Sequence, residues 1–154
     1  MIGLDYRLNE EEFESIEQVD LTTADETSFL YYLFCGDIFF RINQAVFDAE
    51  WGWIPILGFA ETLYSILKDL PETQTDEYIF TESDDQIRFE LVDSALKIDF
   101  KYTTVPLEKS IEVDYEEMKM ASLQFLAKVL DDFENQWPEL YKNPTFKSYR
   151  ALVK

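Results

Sequence analysis

A chain of 154 residues, 47% apolar and 16% aromatic, has the material for a sizeable core, which excludes intrinsic disorder. Its 32 acids against 13 bases leave a net charge of −19. That balance argues against direct binding to nucleic acid or an anionic membrane, where a basic patch supplies the affinity, and suits a basic partner instead.

Asp5-Tyr6-Arg7-Leu8 reads as a short first strand. Asn9 followed by Glu10, Glu11 and Glu12 reads as a helix start, with Asn9 as N-cap, Glu12 at the capping-box position and acids at the positive end of the dipole. Phe13 and Ile16 form its expected buried face, and the helix gives way near Val19-Asp20-Leu21. Residues 10–26 hold many acids and no base, which fits a solvated face or a docking surface.

Two readings fit Phe29 to Asn43. One is a hairpin pairing 28–34 with 37–43 around Gly36; the other is a short helix over 25–35 with Gly36 beyond its C-terminus. The density of aromatic and branched residues favours the hairpin. Asp48 to Trp53 reads as a loop leading into a helix opened by Pro55. Ile56, Phe59, Ala60, Leu63, Ile66, Leu67 and Leu70 share one face of that helix, and Pro71 is expected to stop it. Gly58 costs this helix about 1 kcal/mol relative to alanine, and close packing against a sheet would explain its presence.

Glu72 to Asp76 reads as a polar linker, and Tyr78-Ile79-Phe80 as a strand followed by a Ser83-Asp84-Asp85 turn. Gln86 to Tyr102 carries the clearest pattern in the chain. Ile87, Phe89 and Leu91 alternate with Arg88 and Glu90; Leu96, Ile98, Phe100 and Tyr102 alternate with Lys97, Asp99 and Lys101. This is a hairpin with one buried face. A two-residue Asp93-Ser94 turn sets Glu90 opposite Lys97 and Arg88 opposite Asp99, each pair contributing roughly 0.2–1 kcal/mol. The turn lacks the glycine a type I′ turn prefers, so a loop of about three or four residues is the alternative. Residues 77–102 thus form a three-stranded meander, with a last short strand over 110–113.

Asp114 caps the longest helix, with Glu117 completing a capping box. Met118, Phe125, Leu126, Val129, Leu130 and Phe133 form its stripe, and Pro138 ends it. Pro144 opens a short final helix over 145–152. The order implies an α+β fold: an antiparallel sheet built from hairpins, packed against two main helices and a short C-terminal one, in a single domain over 1–154.

The sequence offers little chemistry. It contains no histidine, which removes the commonest general base, the usual zinc ligand and every Ser-His or Cys-His pair. Cys35 is the only cysteine; it forms no internal disulfide and is expected as a buried structural thiol. The acids of the TESDD turn lack the glycine and distal glutamate of a calcium loop, and no glycine-rich phosphate loop occurs. No metal and no cofactor is expected. Met1 to Asp5 lacks the basic and apolar regions of a signal peptide, and apolar runs are too short to span a membrane, so a cytoplasmic location is expected.

The run Gly36 to Leu70, GDIFFRINQAVFDAEWGWIPILGFAETLYSILKDL, in a small, acidic, aromatic-rich α+β chain without a catalytic set, resembles the immunity proteins of bacterial polymorphic-toxin and contact-dependent-inhibition systems. The resemblance lies in general character and assigns no residue a role. It implies a non-enzymatic inhibitor whose partner is a cognate toxin domain, basic and nuclease-type. An acidic adaptor or DNA mimic is the alternative, and a carboxylate-dependent enzyme a third reading. The expected partner-binding residues are Asp48, Glu50, Trp51, Asp76, Glu77, Glu82, Asp84 and Asp85, acids and an aromatic anchor placed between the regular elements.

Overall fold

A computed structural model describes residues 1–153. The chain folds as α+β, with two antiparallel four-stranded sheets and five α-helices. In the first sheet, β1 (Ile2–Leu8) pairs with β2 (Cys35–Ile42). The other side of β2 pairs with β3 (Ala45–Val46) and β4 (Ala49–Pro55). The second sheet runs β5 (Thr75–Ile79), β6 (Gln86–Val92), β7 (Ala95–Tyr102), β8 (Leu107–Asp114), each strand beside its chain neighbour.

The hairpin β6–β7 has the register that the charge pattern required: Glu90 faces Lys97, Arg88 faces Asp99 and Val92 faces Ala95. The turn is the two-residue one. Asp93 alone of its central pair takes a positive φ, +58°, the pattern of a type II′ rather than a type I′ turn. The meander continues into β8, which is longer than the last strand read from sequence and makes the sheet four-stranded.

The hairpin expected over 28–43 is instead helix α2 (Glu26–Tyr31) followed by strand β2. Asp25 caps the helix, its carboxylate accepting the Ser28 N–H at 3.0 Å. Phe34, at φ +57°, makes the corner into β2. Phe29 and Phe34 are both fully buried and stack 6.2 Å apart, so the aromatic density serves burial at a corner and not strand pairing. Gly36 sits inside β2, where a Cβ would lie 2.0 Å from the Arg7 carbonyl oxygen.

Three further expectations are corrected. Asn9 caps a short 3-10 turn (Glu10–Glu12), which leads into α1 (Phe13–Glu17), by accepting the Glu11 N–H at 3.1 Å. Its own N–H is taken by the Cys35 carbonyl at 2.9 Å, so no capping box closes onto it. The loop expected over Asp48–Trp53 is mostly strand β4: Ala49, Trp51 and Trp53 alternate with Glu50 and Gly52. Helix α3 runs Ile56–Thr73 with Pro71 inside its last turns, and β5 begins two residues later, so the expected linker is short.

Helix α4 (Tyr115–Gln136) is capped by Asp114, which accepts the Glu117 N–H at 2.9 Å. All six residues of its expected stripe are buried. Helix α5 (Pro144–Leu152) is capped by Asn143, which is itself fully buried and also donates to the Leu21 and Ala24 carbonyls at 2.8 Å each. Helix α3 packs on α4 and on strands of both sheets. The sheets also meet directly. Phe47 stacks on Phe100 at 3.8 Å, and the Tyr102 hydroxyl donates to the Phe47 carbonyl at 2.9 Å.

Gly58 explains itself in α3. A Cβ there would lie 2.7 Å from Leu30 Cα and 2.8 Å from the Phe29 carbonyl oxygen. The close approach is to helix α2 rather than to a sheet.

Both strands β1 and β5 are sheet edges. In each, an aspartate accepts the N–H of the residue after it: Asp5 from Tyr6 and Asp76 from Glu77, at 2.8 Å in both cases. The registers place both of those N–H groups on the side away from the paired strand.

Candidate partner-binding surface

The negative charge is unevenly spread. Residues 1–87 hold 20 acids and three bases, whereas residues 88–154 hold 12 acids and ten bases. On the outer face of the β5–β8 sheet acids and bases alternate across the rungs: Glu77, Arg88, Asp99 in one, Glu90, Lys97, Glu112 in the next, Lys101 and Glu108 in a third. Opposite charges side by side offset much of the acidity there. The acids outside these rungs include those of the 3-10 turn, α1, α2, the end of α3, Asp76 of β5 and the β5–β6 turn.

The eight residues singled out from sequence do not form one surface. Asp85 is fully buried. It accepts from the Ser83 hydroxyl, from the backbone N–H groups of Thr103 and Thr104, and from the Thr104 hydroxyl. Burial pushes its carboxyl pKa up, but the bonds from Ser83, Thr104 and Thr103 outweigh burial and hold it below the ordinary aspartate value. Its role is to tie the β5–β6 turn to the β7–β8 turn. Asp48 is likewise turned inward, accepting the Phe40 N–H at 2.9 Å and pairing with Arg41 at 3.0 Å.

Trp51 is half-buried. It stacks on Trp53 with ring centres 5.3 Å apart and meets Phe80 and Tyr102 edge-on, so its area is largely spent joining the sheets. Glu50 is exposed and lies 3.5 Å from Arg7. Arg7 is held in turn by Asp37 at 2.6 Å, while the other Asp37 oxygen accepts the Gly52 N–H at 2.8 Å. Asp76, Glu77, Glu82 and Asp84 are exposed.

Glu77 and Glu82 belong to a surface that sequence reasoning did not assemble. Tyr31 and Tyr32, at the C-terminal end of α2, are 44% and 67% exposed, and Ile79 of β5 is 56% exposed. Between α2, α3 and the free edge of β5 runs a groove of about 160 Å³, walled by Tyr31, Thr62, Glu77, Tyr78 and Thr81, with Gly58 among its lining residues. Beside it, the thiol of buried Cys35 is pushed up to about 12, by desolvation first and then by the Glu12 and Glu82 carboxylates nearby. On the α3 side the Glu61 carboxyl is raised, by its own burial and by repulsion from Glu26, against an opposing hydrogen bond from Ser65.

Glu77 thus shares the groove with exposed Tyr31, while Glu12 and Glu82 lie near Cys35. The sequence signal was present in the Tyr31-Tyr32 doublet, but a strand reading placed one of the two in the core. No family model, curated protein or solved structure matches this chain.

Proposed function

We propose that this chain is a non-catalytic binding protein that docks and blocks a basic protein, a cognate toxin domain of nuclease type, within the cytoplasm of the cell that makes both. One observation carries the reading: Tyr31, Tyr32 and Ile79 are exposed on the acid-rich part of the chain, where residues 1–87 hold 20 acids and three bases. Aromatic anchors in an acid-rich rim suit a partner that presents positive charge to phosphate. The acids speed encounter through the long-range field, and the tyrosines supply contact area at low entropic cost.

The test is titration of the purified chain with the toxic domain encoded in the adjacent reading frame, at roughly 50 and 500 mM salt, where screening lengths differ several-fold. Association should slow at least about tenfold at the higher salt, and toxicity should be relieved on co-expression. Affinity that barely responds to salt, or turnover of a small molecule by the chain alone, overturns the reading.

A further inference from the structure

We propose that the free edge of β8 is a docking site for an extended segment of a basic protein, which adds there as a fifth strand with bases opposite Glu108 and Glu112. The proposal goes beyond the reading just given. It concerns the opposite rim of the β5–β8 sheet from Ile79, and it does not require that the partner be a toxin.

The register fixes what this edge offers. The Tyr115 N–H donates to the Ser94 carbonyl, so the odd-numbered residues of β8 bond to β7. The N–H and C=O groups of Glu108, Ser110 and Glu112 therefore point away from the sheet. Among the described residues, nothing in the protein bonds those three N–H groups. The sheet's two rims thus differ. Strand β5 is five residues long and Asp76 takes the Glu77 N–H at its rim; β8 is eight residues long and carries no such plug. Edge strands are ordinarily kept short or blocked, and β8 is neither. Leu107, Ile111 and Val113 are half-buried and pack on the core, so a further strand would cover their open flank.

Charge selects the occupant. On the outer face the rows of alternating charge end at β8, on Glu108 beside Lys101 and on Glu112 beside Lys97. A next strand with a base in each of these rows continues the alternation. A second copy of β8 does not supply one. In any antiparallel pairing of two such edges even-numbered residues face even-numbered ones, and these are Glu108, Ser110, Glu112 and Asp114, so acid meets acid or serine. Lys109, exposed in the other row, calls for a polar residue opposite it. The segment that fits is therefore extended, basic in one row and mainly apolar in the other, and it is held by main-chain bonds.

The test is a ¹H–¹⁵N titration of the full chain with the capped heptapeptide Val-Lys-Val-Thr-Thr-Lys-Val, written antiparallel to residues 107–113. Two controls accompany it: the same peptide with both lysines replaced by glutamate, and the same peptide N-methylated at its first threonine, the residue opposite Ser110. The parent peptide should give saturable shifts at Glu108, Ser110 and Glu112 and slow exchange of their amides at least about tenfold. Each control should bind at least about tenfold more weakly, the first through charge and the second through the lost main-chain bond. Ser110→Pro removes an edge N–H that β7 does not use; it should abolish binding and leave the amide protection of β5–β7 intact. Replacing both Glu108 and Glu112 by lysine should reverse the preference between the basic and acidic peptides. Equal binding of the N-methylated peptide overturns the proposal, as does equal binding of the acidic one. So does the absence of saturable shifts with the parent peptide. Protection of these three amides that rises with protein concentration alone gives the edge to a second copy and overturns it too. None of these outcomes touches salt-sensitive capture of the toxin domain, which its own titration decides.

Discussion

The Tyr115 hydroxyl donates to the backbone carbonyl of Leu67. That carbonyl is the one that Pro71, four residues on and lacking an N–H, leaves without a helical donor. The first residue of α4 thus repairs the defect a proline makes in α3, and α3 runs on to Thr73. Tyr115→Phe should cost about 1–2 kcal/mol in chemical denaturation, because the carbonyl is buried and becomes unpaired. Pro71→Ala returns the missing N–H, so in that background Tyr115→Phe should cost less than half as much. Equal costs in both backgrounds would refute the repair.

Gly58→Ala separates local propensity from packing. In an isolated helix the change adds up to about 1 kcal/mol of stability. Here the new methyl meets the α2 backbone at 2.7 Å, and backbone does not yield as a side-chain tip does. The expectation is a net loss of about 2–3 kcal/mol, visible as a lower denaturation midpoint. Gly3→Ala, with nothing within 4 Å of the added Cβ, should change the midpoint little.

Asp85→Asn should lower stability at neutral pH by about 2–3 kcal/mol, since an amide cannot accept the full set of donors from Ser83, Thr103 and Thr104. The native carboxyl lies below its unfolded value of about 3.9. Ionised Asp85 therefore stabilises the fold above that pH, and the contribution is lost as pH falls through the native pKa. Paired denaturation curves of wild type and variant should differ most at pH 6–8, a span well above about 3.9, and converge in acid. A constant gap would assign the loss to shape alone.

Cys35 should resist thiol reagents in the folded protein. It is 7% exposed, and its pKa is pushed up to about 12, against about 8.5 for a free thiol, which lowers the thiolate fraction by roughly three orders of magnitude at pH 8. Labelling at that pH should follow global unfolding and become fast in denaturant. Rapid native labelling would contradict the buried site.

What could be read from the chain depended on how local the deciding physics is. The β6–β7 hairpin was legible down to its register because Glu90–Lys97 and Arg88–Asp99 repeat, across the turn, the information already in the alternation. Helix α4 was legible for the same reason, since Asp114, the stripe and Pro138 agree. Helix α2 was not, because its aromatic residues outvoted the Asp25–Ser28 cap that marks its start. Strand β4 was misread because Gly52 and Pro55 look like loop residues; its alternation of Ala49, Trp51 and Trp53 was there to be counted. The groove lay beyond sequence reasoning altogether. Tyr31, Gly58 and Tyr78 meet only through the packing of α2 on α3, and turn composition does not say that Asp85, unlike Asp84, points inward.

Asp5 and Asp76 close with one short bond each what would otherwise be an invitation to a stray chain. A strand arriving at either rim finds a missing rung where it needs a donor, and a carboxylate that repels other chains as acidic as this one. Concentrated solutions of this protein should therefore resist strand-to-strand polymerisation through these two rims.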